Sequence, residues 1–163
     1  MSSMVDLVSP VIILLVVLAV ILRQTSAGVA VLALLAGVML DQLLGEWILG
    51  LIPAQSGDMQ IYVTVVVHLL LTFAPMVVAI TLVKATRKSI TVSLLTSLLL
   101  GFLVVYFGVK IVEPIPYVTE EVRNAGLISF LDPYQNLILS SAAVLAIVAI
   151  VIDHRKALKK KDK

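Results

Sequence analysis

The stretch Ile61-Tyr-Val-Thr-Val-Val-Val-His68-Leu-Leu-Leu-Thr72-Phe-Ala-Pro75-Met-Val-Val-Ala-Ile-Thr-Leu-Val83 decides the class of this chain. It runs for twenty-three residues without a carboxylate, lysine or arginine. An α-helix rises about 1.5 Å per residue, so a run of this length crosses a hydrocarbon core about 30 Å thick. His68 and Pro75 are not what a plain lipid-facing span requires. Working outward, the flanking sequence repeats the pattern. Apolar runs cover about 4–22 and 27–44 before it, and 90–112 and 133–152 after it. The reading is an all-α polytopic membrane protein of five transmembrane helices, a single helical domain over 1–152 with a basic tail, 153–163.

Composition agrees. Of the 163 residues, 61% are hydrophobic and the mean hydropathy is +1.14, far from soluble-domain values. With no cysteine, disulfides, thiol catalysis and Cys-based metal sites are excluded. No Lys or Arg precedes the first apolar run, so that run reads as a retained helix rather than a cleaved signal. The second span turns amphipathic at its end. Leu40, Leu43, Leu44, Trp47, Ile48 and Leu51 recur at helical spacing, with Asp41, Gln42 and Glu46 on other faces, until Pro53 breaks it. The segment 113–132 is the one long connection; Thr119 is placed to cap a short helix ending near Gly126, and Asp132-Pro133 to open the fifth span.

Charge sets the expected orientation. With the N-terminus outside, ten of twelve basic residues fall inside: Arg23, Lys84, Arg87, Lys88 and the six in the tail. Eight of the ten acids fall outside. This positive-inside bias gives N-out and C-in, in a membrane expected to be a bacterial plasma (inner) membrane. The tail lysines, Lys156, Lys159, Lys160 and Lys161 among them, either contact anionic headgroups or act only as a topology anchor.

His68 lies eight residues into its span, and Thr64, His68 and Thr72 form a stripe at i, i+4, i+8. Ionisable groups at such depth face a bundle interior and mark sites by default, though a neutral histidine also serves packing alone. Asp41 stands fourteen residues above the inner end of its span, at about the depth of His68. Sequential spans joined by a short loop are antiparallel neighbours, so an Asp41–His68 contact is expected. The carboxylate favours a protonated ring and burial a neutral one, and the sequence leaves both open. The other reading puts Asp41 in the headgroups. Lys110, at the end of its span, can pair with Glu113 or Asp6 or snorkel, and snorkelling is the expectation.

Ser93, Ser97 and Gly101 make a small-residue line suited to close helix packing and hydroxyl bonds between helices, with Ser140, Ser141, Ala142 and Ala143 suited to the same role on the fifth span. Pro75 frees a backbone carbonyl near mid-helix. A hydrolase site lacks a Gly-x-Ser motif, two histidines at different levels make no metal site, and phosphate-loop and dinucleotide fingerprints are missing. The expectation is a non-enzyme with no cofactor, no nucleic-acid partner, and contacts to lipid and to another membrane protein or itself.

From Val5-Asp6-Leu7 to Leu22-Arg23-Gln24, and again in the basic loop followed by Ile90–Phe107, the chain resembles in layout the colicin V production protein family of small bacterial inner-membrane proteins. It departs from that family in having Arg23-Gln24-Thr25 in place of an Arg-Gly turn, and five spans rather than four. The resemblance implies an accessory protein linked to export or envelope homeostasis. Separately, Gly37-Val-Met-Leu40-Asp41-Gln-Leu-Leu-Gly45 is similar to a Gly-x-x-Leu-Asp-x-x-x-Gly stretch of the rod-shape-determining small membrane protein family, which implies a scaffold. The function expected is an accessory or scaffold subunit of an envelope or export-related membrane complex. The alternative is a homo-oligomeric pore or small transporter using Asp41 and His68.

Overall fold

A computed structural model of the chain describes residues 4–22, 26–53, 57–83, 90–116, 118 and 132–158. Its helices are α1 (Met4–Leu22), α2 (Ala27–Leu51), α3 (Asp58–Leu82), α4 (Ile90–Val112) and α5 (Gln135–Leu158), with a 3-10 turn, Asp132–Tyr134, leading into α5. Four are long and apolar enough to cross a membrane: α2, α3, α4 and α5. This marks an integral membrane protein. The apolar part of α1, Leu7–Leu22, is shorter.

Local chemistry sets the ends. Pro53 drives the preceding residue to extended backbone, and Ile52 is extended at φ −84°, ψ 129°, its N–H turned to the Leu49 carbonyl. Gly57 precedes α3 at φ 75°, ψ −146°, a conformation only glycine takes without strain. α2 runs to Leu51, as the helical spacing up to Pro53 predicts. Three boundaries correct the expected ones. α3 begins at Asp58, and α5 at Gln135, after Pro133 has been taken into the 3-10 turn. α5 also runs on to Leu158, so the first residues of the basic tail are helical. The expected helix at 119–126 lies outside the described residues, as do Arg23, Lys84, Arg87 and Lys88.

The hub is α2. It packs on α3, α5 and α4, while the main contact of α1 is α4. The core gathers beside the first half of α2: Ala30, Val31 and Leu34 meet Val20, Met76, Leu100, Leu103 and Ala146. Tyr106 and Phe107 close it edge to face, with ring centroids 5.4 Å apart.

Glycines set the axial register of the helices. A Cβ at Gly28 would stand 2.7 Å from the Ala146 carbonyl on α5, and one at Gly101 would stand 2.9 Å from Ile13 Cγ2 on α1. Gly37 faces the Leu71 and Thr72 carbonyls of α3, and Gly108 faces the Phe73 ring. Counting about 1.5 Å per residue from these contacts brings Met4, Val112 and Gln135 near the level of Asp41 and His68. There α1, α4 and α5 end. The α2–α3 hairpin continues for about ten more residues, roughly 15 Å.

Candidate functional site

The sequence places Gly37, Asp41 and Gly45 at i, i+4, i+8, which is one face of a helix. That face meets α3. His68 Nδ1 lies 2.6 Å from Asp41 Oδ1, joining residues 27 positions apart. Gly45 makes the room: a Cβ there would come within 3.0 Å of His68 Cε1 and 3.2 Å of Asp41 Oδ1.

With the Nδ1–H donating to the carboxylate, Nε2 is the ring's remaining polar atom. The pair is not sealed: the side chains are 28% (His68) and 18% (Asp41) exposed. The bond is short enough to be charge-assisted.

The rest of the stripe divides around this pair. One turn toward the hairpin tip, Thr64 donates its hydroxyl to the Gln60 carbonyl at 2.9 Å. One turn the other way, Thr72 is buried, with its carbonyl flush against Gly37. Pro75 has no N–H for the Leu71 carbonyl, which also faces Gly37. The Gly37 Cα therefore closes on backbone oxygen, the geometry of a Cα–H···O contact. Beneath the pair, at Gly37, the seam is backbone against backbone.

Above the pair, a cleft of about 460 Å³ opens between the last turn of α2 and the first turns of α3. Leu49, Gly50 and Pro53 line one wall, and Gln60, Val63 and Thr64 the other.

The expected packing line on α4 is buried, but its hydroxyls do not bridge helices. Ser97 donates to the Ser93 carbonyl of its own helix at 2.6 Å, and the buried Ser93 hydroxyl has no partner. A hydroxyl mid-helix finds the carbonyl one turn back before it reaches a neighbour. Gly101 does bring α1 and α4 together. Ser140 and Ser141 are exposed and bonded back to Asn136 and Ile138; Ala142 of the expected set is buried, and with Ala146 and Ala149 it forms the buried face of α5. Lys110 pairs with Glu113 at 3.6 Å rather than only snorkelling, because the two stand one turn apart at the helix end. The Lys156 side chain and Lys159, Lys160 and Lys161 lie outside what is described.

Gly28, Gly37 and Gly45 carry more of the packing than the residues singled out by type. Their signal was present as spacing, glycines four residues either side of an intramembrane acid. Among the described residues no group of three or more His, Cys, Asp or Glu side chains is placed to hold a metal ion.

The site is thus a polar pair held in a glycine-lined seam of a membrane helical bundle. Compared with known protein families, curated proteins and solved structures, the chain matches none.

Proposed function

We propose that this protein is an accessory or scaffold subunit of an envelope or export-related membrane complex, working through helix–helix contacts and carrying no catalysis of its own. The observation that carries this reading is the α2–α3 hairpin. From about the level of the described ends of the other helices outward it presents Met39, Leu43, Trp47 and Leu51 in one i, i+4 row, and all four are exposed. Residues this apolar, standing toward or past the end of the hydrocarbon, gain by being covered. The occupant is another membrane protein or a second copy of this chain. The Asp41–His68 bond and the Gly37 contact hold the two helices of that surface in one register. The layout-level resemblance to the colicin V production family supports the same reading.

Five spans, with α1 as the fifth, fit the packing of α1 along α4, where Val20 is fully buried. The charge pattern then puts the N-terminus outside and the tail in the cytoplasm of a bacterial cell, its lysines at anionic headgroups. The second reading, a homo-oligomeric pore or small transporter, is favoured by one observation: Asp41 and His68 meet yet stay partly exposed.

Native mass spectrometry of the protein extracted with its own lipids separates the two. A stoichiometric second protein, retained by the wild type and released by Trp47→Ser with Leu43→Ser, is the expected result. A homo-oligomer that loses ion flux on His68→Ala while assembling normally would replace the scaffold reading with the transporter.

A further inference from the structure

The two ends of the bundle differ in charge. The tip of the α2–α3 hairpin shares its end with the start of α1 and with the connection from α4 to α5. The segments at that end carry eight acidic residues and two basic ones, Lys110 and Arg123; those at the other end carry ten basic residues and two acidic ones. Of the tip-end acids whose side chains are described, Asp41 is bonded to His68 and Glu113 to Lys110. Glu46 differs from both: it is exposed on α2, and among the described residues it has no ion-pair or hydrogen-bond partner. It stands at the edge of the apolar row. With about 100° of turn per residue, Glu46, Leu43 and Trp47 share one side of the helix, and Gly50 falls between them. A Cβ at Gly50 would meet nothing within 4 Å. Small residues on such a face let a second helix come close. Asp41 and Gly45 turn the opposite side of α2 to α3, so this side has no neighbour within the chain.

Charge decides which occupant fits. A second copy in the same membrane orientation, related by a two-fold axis along the membrane normal, would set Glu46 against the acidic end of its twin, and like charges facing across an interface cost affinity. Ten of the twelve basic residues of this chain lie at the far end of the bundle, and Lys110 is taken by Glu113. We infer that this face docks a transmembrane helix of a different protein, one that carries a lysine or arginine about one turn beyond its apolar run. That base meets Glu46, and an apolar side chain enters the gap at Gly50 between Leu43 and Trp47. The apolar row supplies the buried area; the carboxylate selects the partner and fixes its register. The inference rests on the accessory-subunit reading and narrows its occupant from two kinds to one.

The test reads the occupancy of the second protein by native mass spectrometry, in complexes extracted with their own lipids, for the wild type and for variants at Glu46. Glu46 is exposed and unpaired, so the thermal melts of the isolated variants should match the wild type. Glu46→Gln should lower the occupancy about threefold and Glu46→Lys about tenfold, while Glu46→Asp changes it little. Raising the salt from about 50 to about 500 mM should weaken the wild-type complex and leave the Glu46→Gln complex nearly unchanged. A benzoylphenylalanine at Leu43, photocrosslinked and mapped by peptide sequencing, should mark a partner segment in which a lysine or arginine follows an apolar run. Reversing the charge of that base should restore binding to Glu46→Lys. A partner released by Trp47→Ser with Leu43→Ser, yet held equally by the wild type and Glu46→Lys, would overturn the inference and leave the accessory-subunit reading standing. A homo-oligomer, or the protein alone with lipid, would end both.

Discussion

Two seams of this bundle use the same device to opposite ends. In the α1–α4 seam, Gly101 lets the Ile13 side chain and Cα approach, and Ser97 nearby bonds back to its own helix. In the α2–α3 seam, Gly37 brings backbone onto backbone, and Gly45 clears a space that a carboxylate and an imidazole fill together. Ser97 keeps its hydroxyl on its own helix; Asp41 and His68 spend their polar atoms across the interface. The difference teaches what an interhelical polar bond needs in a membrane. A hydroxyl within reach of its own i−4 carbonyl goes there. A side chain too long for that, opposite a missing Cβ, crosses.

The largest expected effect tests the backbone contact. Gly37→Ala puts a methyl group into the Thr72 carbonyl, which is helix backbone and cannot swing aside. The helices must part, at a cost of about 2–3 kcal/mol. The same change at Gly50, facing open space, should stabilise by about 0.5–1 kcal/mol through helix propensity. Reversible unfolding in mixed detergent, read by circular dichroism, measures both; equal effects at the two sites would erase the contrast between them.

A middle-sized effect belongs to the polar pair. A double-mutant cycle of Asp41→Asn and His68→Leu should give a coupling of about 1–2 kcal/mol, at the upper end for interhelical polar contacts in membranes. A coupling near zero would make the pair a neighbour relation and not a clamp.

The smallest effect sharpens the other side of the comparison. Ser97→Ala removes a hydroxyl bonded only to its own helix, and should shift the unfolding midpoint by less than about 0.5 kcal/mol. Gly101→Ala in the same seam should cost about 1 kcal/mol and be relieved by Ile13→Ala, because its obstacle is in part a side chain. A large loss from Ser97→Ala would place an interhelical bond where the structure has none.

Most of the helix positions were legible because a hydrocarbon layer demands uninterrupted apolar runs of near-constant length. The Asp41–His68 contact was legible for a related reason. Antiparallel neighbours with a fixed rise put Asp41 and His68 at equal depth by counting alone. The hub role of α2 was not legible. These helices are apolar on nearly every face, so the pattern does not say which face seeks which neighbour. It is why α1 could not be matched to α4, and why Ile61–Val83 looked central when α2 is. Nor was the fate of the serines legible from type, since hydroxyls that bridge helices and hydroxyls that bond back read the same. The glycines of α2 were visible only as spacing around Asp41, and their meaning needed the partner helix.

The pairing of α1 with α4 has a consequence for biosynthesis. α1 leaves the ribosome before α4, and about 90 residues of chain separate its end at Leu22 from the end of its partner at Val112. At translation rates of about 5–20 residues per second, α1 waits some 5–20 s for α4. The α2–α3 hairpin, with partners next to each other in the chain, has no such delay. During that interval the surface of α1 that later buries Val20 and Ser9 must be held by lipid or by the insertion machinery. Of the five described helices, the one that precedes the rest in the chain is the one that waits longest for its main partner.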